Sequence, residues 1–194
     1  MRQPYVTAVL IVGLLFGGVL LIGSALRLRL PGNHQGYAPA QPIAFSHRLH
    51  ADELQIHCQY CHSAAGESRH AGIPSGDACM RCHKFVTAPF NVLQEEVRAA
   101  DAEKRKPRTI VSAELRKLYD AMGLDEKLEA TAAKESMLIP WVRVHNLPDF
   151  VYFDHRAHVN AGVTCQHCHG SVESMQTVEQ FSTLSMGWCV NCHR

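Results

Sequence analysis

The sequence predicts a mainly helical and irregular fold with little β-structure: one amino-terminal transmembrane helix carries an exported domain whose core is not built from side chains. Three observations predict it. Residues 5 to 26 carry no charge. All eight cysteines fall into four Cys-x-x-Cys-His units. Only 7% of the 194 residues are aromatic, too few large side chains to fill the interior of a domain this size. The net charge of +1 gives no basic field, so a nucleic-acid partner is not expected.

The apolar run is long enough for about 20 helical residues to span a bilayer's hydrocarbon core. A cleaved signal peptide would have an apolar core of only about 7–15 residues, although Gly23-Ser-Ala25 has the small residues of a cleavage site. An uncleaved anchor over residues 1–30 is the expectation. Arg27 and Arg29 follow the span while only Arg2 precedes it, so basic residues do not orient it in the usual way.

The four units are Cys58-Gln-Tyr-Cys61-His62, Cys79-Met-Arg-Cys82-His83, Cys165-Gln-His-Cys168-His169 and Cys189-Val-Asn-Cys192-His193. This pentapeptide is the attachment signal for haem c. Its two thiols form thioethers to the porphyrin, and the adjacent histidine is the proximal iron ligand. Zinc ribbons use paired Cys-x-x-Cys units without requiring a histidine after each, and a thioredoxin-like site needs one copy, not four. Four covalent haems are expected, with His62, His83, His169 and His193 proximal. Thioether formation in bacteria takes place outside the cytoplasmic membrane, which puts the haem domain on the periplasmic side and the amino terminus in the cytoplasm.

A repeat organises the chain. Phe45-Ser-His47-Arg-Leu-His50 precedes the first two units, and Phe153-Asp-His155-Arg-Ala-His158 precedes the last two. Histidines three apart share one side of a helical turn while pointing in different directions, so one turn can serve two irons. His47, His50, His155 and His158 then supply one distal ligand to each haem. His70 and His145 are surplus imidazoles, open to a distal role or to a fifth haem, with His34, His57 and His167 behind them. Met186 more simply packs against porphyrin than ligates it.

The organisation expected is an anchor at 1–30, a Pro/Gly-containing linker at 31–44 (Pro31, Gly32, Gly36, Pro39, Pro42), a first dihaem module at 45–83, a helical spacer at 84–140 and a second dihaem module at 141–194. The spacer lacks Cys and His. Its composition predicts helices over Asn91 to Lys106 and Ser112 to Ala133, broken near Pro107 and Gly123, an amphipathic pair lying on the haem core.

Phe-x-His-x-x-His followed by Cys-x-x-Cys-His resembles the class III multihaem cytochromes c, which implies a haem-packed exported domain. The stretches Gln41 to His50, His57 to His62, His70 to Ser75, Trp141 to Phe153 and Met186 to Arg194 are similar to the membrane-anchored multihaem subunit of alternative complex III. That resemblance implies an electron-transfer subunit, not catalytic alone, of a membrane complex that oxidises menaquinol and passes electrons toward a periplasmic acceptor or terminal oxidase. Its implied partners are an iron–sulfur protein, polytopic quinol-binding subunits, a monohaem cytochrome c and membrane lipid. The family's subunit usually has five haems, whereas this sequence has four attachment units. The alternative is a stand-alone membrane-anchored tetrahaem quinol dehydrogenase feeding a periplasmic reductase. Those proteins share length, haem count and topology but lack the duplicated histidine motif. Surplus imidazoles disfavour a catalytic haem, which needs an iron with an open position.

Overall fold

The structure is a computed structural model that describes residues 3–27, 34–125, 127–130 and 136–194. Arg2, Arg29, Pro31, Gly32, residues 131–133 and the side chain of Arg27 lie outside the described part. Helices and irregular segments make up the described residues, and the β-structure among them is one isolated antiparallel bridge, Leu124 to Ala130. This agrees with the fold class expected.

Helix α1, Gln3–Arg27, contains an uninterrupted apolar stretch, Pro4–Ser24, with a mean hydropathy of 2.6 and no residue buried. At about 1.5 Å per residue this stretch matches the hydrocarbon thickness of a bilayer. It is apolar on every side, as a helix facing lipid must be.

The attachment units all form short helices: α2, Cys58–Cys61; α3, Gly76–His83; α7, Cys165–His169; and α8, Met186–Cys192. Cysteines three apart on one turn project from the same face. Side-chain caps start two of these helices. Nδ1 of His57 accepts the Gln59 N–H at 3.3 Å, and Oγ of Ser185 accepts the Trp188 N–H at 3.3 Å. The two histidine turns differ: residues Arg48–Glu53 form a π-helical turn, whereas the second is a short α-helix, α6, His155–Asn160, capped by Asp154 on the Arg156 N–H at 2.9 Å.

The spacer holds α4, Phe90–Ala102, and α5, Ala113–Ala121, which are shorter than the sequence predicts. The second ends at Ala121 because the chain turns at Gly123, φ +71°. Beyond it the Asp125 carboxylate accepts the N–H groups of Lys127 and Glu129 and closes a loop. Ser112 caps α5 on Leu115. Tyr119, fully buried, donates its hydroxyl to the carbonyl of His83 at 2.5 Å. Leu118 and Met122 lie against Gly76, where a β-carbon would come within 2.2 Å of the Met122 sulfur. The spacer therefore props α3, the second attachment helix.

The repeats brace each other. α6 packs on the 3-10 turn Ser63–Gly66 that follows α2, and the π turn packs on the 3-10 turn Val172–Ser174 that follows α7. Matching hydrogen bonds hold both contacts: Arg156 N–H to the Ser68 carbonyl at 3.2 Å, and Arg48 N–H to the Met175 carbonyl at 3.0 Å. The acceptors stand six residues past His62 and His169 respectively, so the duplicated sequence folds as an approximate two-fold exchange of turns.

Apolar side chains supply little core. Among the described residues the buried hydrophobic ones are Ala65, Ala88, Ala100, Leu118 and Tyr119, while Phe85 and Phe150 are 75% and 83% exposed. Such a chain is expected to owe its compactness to something other than aliphatic packing.

Two positions are sensitive. Gly170 has φ 71° and ψ −168°, a region open essentially to glycine, and a β-carbon there would lie 2.6 Å from Phe181 Cγ. Gly170→Ala is expected to cost about 1–3 kcal/mol, read as a fall in the thermal unfolding midpoint. An unchanged midpoint contradicts the strain. Separately, Arg105 meets Glu96 at 2.5 Å and the Arg108 N–H meets it at 2.8 Å. These bonds hold its carboxyl down to about 2. A depressed carboxylate stabilises the fold above its unfolded value, 4.5, and that share is lost as pH falls from there toward about 2. Glu96→Gln is expected to flatten the acid limb of a plot of thermal midpoint against pH in that window. A slope equal to the parent's would contradict it.

Candidate haem sites

Each histidine turn is organised by its phenylalanine. Phe45 stacks on His50 at 4.4 Å and 26° and meets His47 edge-on at 4.9 Å and 86°. Phe153 does the same with His158, at 4.7 Å and 26°, and with His155, at 4.8 Å and 86°. One ring thus fixes two imidazoles at different orientations. Sequence reasoning gave these phenylalanines no role, although their place in both copies of the repeat was the available signal.

Nδ1 is also restrained in three of these four rings. His50 bonds the Ser46 carbonyl at 2.8 Å, His155 the Arg69 carbonyl at 2.9 Å and His158 the Asp154 carbonyl at 2.9 Å. Among the proximal candidates, His62 bonds the Gly72 carbonyl at 2.7 Å and His83 the Val86 carbonyl at 2.8 Å. A carbonyl acceptor requires the proton on Nδ1 and leaves the Nε2 lone pair for a metal. His47 departs from its counterpart His155: its Nδ1 is buried with no hydrogen-bond partner.

The imidazoles come together in pairs. His50 and His83 have ring centres 6.1 Å apart, His155 and His169 6.3 Å, and His158 and His193 5.8 Å. An imidazole nitrogen sits about 2 Å from a metal, so two rings sharing one iron hold their centres about 6 Å apart. His47 lies close enough to His62 and to His50 to interact electrostatically. Burial pushes His47 and His169 down to about 4, their neighbouring imidazoles adding to the effect, and His145 is lowered from the same causes. Neutral imidazole is the coordinating form.

The cysteines are all free of disulfides. Burial raises the thiols of Cys61, Cys79, Cys165 and Cys168. Among the described residues no three His, Cys, Asp or Glu side chains gather as a bare-ion site. Paired imidazoles beside Cys-x-x-Cys thiols fit haem c. A cleft of about 210 Å³ is lined by Leu147, Pro148, Val151, Leu184, Ser185, Met186 and Cys189.

The attachment helices also adjoin in a definite order. Cys61 lies close enough to Cys82, and Cys79 to Cys61, to interact electrostatically. Cys168 does so with Cys189 and Cys192, and Cys58 and Cys165 are within hydrogen-bonding reach. Sites 1 and 2 thus adjoin, as do sites 3 and 4, and sites 1 and 3 meet at Cys58 and Cys165.

The surplus histidines take other positions. His57 caps α2. His34 bonds Asn146 at 3.4 Å, His167 lies beside Trp188, and His70 is exposed. Nε2 of His145 stands 3.0 Å from Nδ1 of His169. Met186 begins α8 and is 57% exposed.

No family model matches the chain. It is similar to the menaquinone reductase multihaem cytochrome c subunit of Nitratidesulfovibrio vulgaris strain Hildenborough, 27% identical over 153 residues, which cover 79% of this chain and 51% of that protein. The chain thus spans about half the length of the curated relative it matches. The likeness supports a multihaem cytochrome c subunit with haem c as its cofactor.

Removing a stacking ring is expected to loosen two imidazoles at once. Phe153→Leu should lower the thermal midpoint by the equivalent of about 1 kcal/mol, the usual worth of an aromatic pair, while His155 and His158 stay in place. A midpoint equal to the parent's would show that the ring does not organise the turn.

Proposed function

We propose that this chain is the electron-transfer subunit of a membrane-bound, quinone-linked oxidoreductase complex, its haem domain held on the periplasmic side by α1 with the amino terminus in the cytoplasm. Cys58, Cys61, Cys79, Cys82, Cys165, Cys168, Cys189 and Cys192 hold four haems covalently. His62, His83, His169 and His193 are the proximal ligands, paired with His47, His50, His155 and His158. When bound, haem c supplies a one-electron Fe(III)/Fe(II) couple at each pair.

The observation that carries this reading is the meeting of imidazoles from the histidine turns with those of the attachment units, His50 with His83, His155 with His169 and His158 with His193; the contacts between attachment helices support an order 2–1–3–4. Two imidazoles for each iron would leave no open position for substrate when haem is bound, which suits relay over catalysis. Adjoining helices keep each transfer short. The exchange of turns between repeats holds sites 1 and 3 together, the one junction that joins the two halves of the row.

The resemblance of its motifs to alternative complex III supports a part in quinol oxidation, and implies an iron–sulfur protein, polytopic quinol-binding subunits and a monohaem cytochrome c as partners. The relative's name attaches a similar chain to menaquinone reduction. A relay carries electrons either way, and its donors and acceptors set the direction. His70 is the imidazole left for any fifth haem.

A pyridine haemochrome assay of the purified chain is expected to give four c-type haems. His50→Ala and His158→Ala should each turn one haem high-spin without changing that number, and loss of no low-spin haem would contradict the pairing. Purified in mild detergent, the chain is expected to bring down other membrane proteins and to lack quinol oxidation alone. Robust quinol oxidation by the isolated chain would favour the stand-alone dehydrogenase.

A further inference from the structure

His62 and His169 are equivalent in the repeat, each closing the first Cys-x-x-Cys-His unit of its module. Their rings are held differently. His62 donates its Nδ1 proton to a peptide oxygen, that of Gly72 at 2.7 Å, whereas His169 meets a second imidazole, Nε2 of His145 at 3.0 Å, with the rings edge to face at 81°. Nε2 of His169 is needed for iron, so its proton is on Nδ1 and must donate. His145 accepts on Nε2 and carries its own proton on Nδ1.

The backbone around His145 is clamped from both sides. Gln41 makes a two-point bond with the Val142 backbone, its Nε2 to the carbonyl and its Oε1 from the N–H, each at 2.9 Å. Gln180, fully buried, accepts the Asn146 N–H at 2.9 Å and spends its own amide on the Ser182 carbonyl at 3.0 Å. Arg143 folds back onto the His145 carbonyl at 2.8 Å. A surface histidine would not need such fixing, and an acceptor aimed at one proton would.

We propose that His145 is a positioning residue for the third haem: by accepting the Nδ1 proton of His169 it fixes that ring and lowers the reduction potential of that haem relative to the first. The physical reason is acceptor strength. An imidazole nitrogen is a stronger proton acceptor than a peptide oxygen, so it draws the Nδ1 proton harder and makes His169 a more basic ligand, which favours Fe(III). The two haems at the centre of the row, alike in their ligands, thereby become unlike in potential. The inference rests on the haem reading proposed above.

The test uses the full haem-bearing chain in detergent, as parent, His145→Phe and His145→Gln. Haem content is counted by pyridine haemochrome, potentials by equilibrium redox titration, and ligation by low-temperature electron paramagnetic resonance of the oxidised protein. With haem content unchanged, His145→Phe is expected to move one haem's midpoint to more positive potential and alter one low-spin signal. His145→Gln, which restores an amide oxygen like that facing His62, should move it part of the way. If the Phe variant does not accumulate, the Gln variant decides by the same shift. Midpoints equal to the parent's at full haem content would overturn the proposal. So would loss of a haem or a new high-spin signal, which would make His145 an iron ligand. A parent chain without haem would instead overturn the cofactor reading.

Discussion

An imidazole that ligates iron has only one nitrogen to give, so its other nitrogen must be occupied by something that fixes the ring. That constraint runs through this structure. Peptide carbonyls take Nδ1 of His50, His62, His83, His155 and His158, and phenylalanines wedge both histidine turns. Two glutamines, Gln41 and Gln180, clamp the backbone on either side of His145. With few aliphatic residues buried, these directional contacts carry much of the order that a hydrophobic core supplies elsewhere.

The duplication acquires a physical meaning from the exchange of turns. Each module's histidine turn rests on the segment that follows the other module's first attachment site, so the two halves are not independent beads. His155 even takes its Nδ1 acceptor, Arg69, from the other half. The same exchange brings Cys58 against Cys165. One set of contacts therefore stabilises the fold and sets the shortest link between the modules. The symmetry fails at His47, whose Nδ1 lacks the acceptor His155 has, and at His169, whose acceptor is an imidazole.

Covalent chemistry was the most legible part of the sequence, because five consecutive residues specify each attachment unit without help from the fold. The four histidines of the repeated turns were legible for a related reason: spacing of three on one turn is a local property, and repetition marked it. What remained hidden depends on contacts distant in sequence. Nothing near His169 announces that its acceptor lies 24 residues upstream, and nothing near Tyr119 points to the carbonyl of His83. The break near Gly123 was legible from its turn chemistry, whereas the helix-favouring composition beyond it gives way to the Asp125 loop, which depends on contacts the composition does not show.

The proposed relay needs four imidazole pairs, each holding one iron. Near-infrared magnetic circular dichroism of the fully oxidised protein tests it most directly, because charge-transfer bands report the axial ligands of each low-spin ferric haem. The account requires bis-imidazole intensity equivalent to four haems per chain. Intensity for fewer, with the balance appearing as high-spin or histidine–methionine bands, would contradict it.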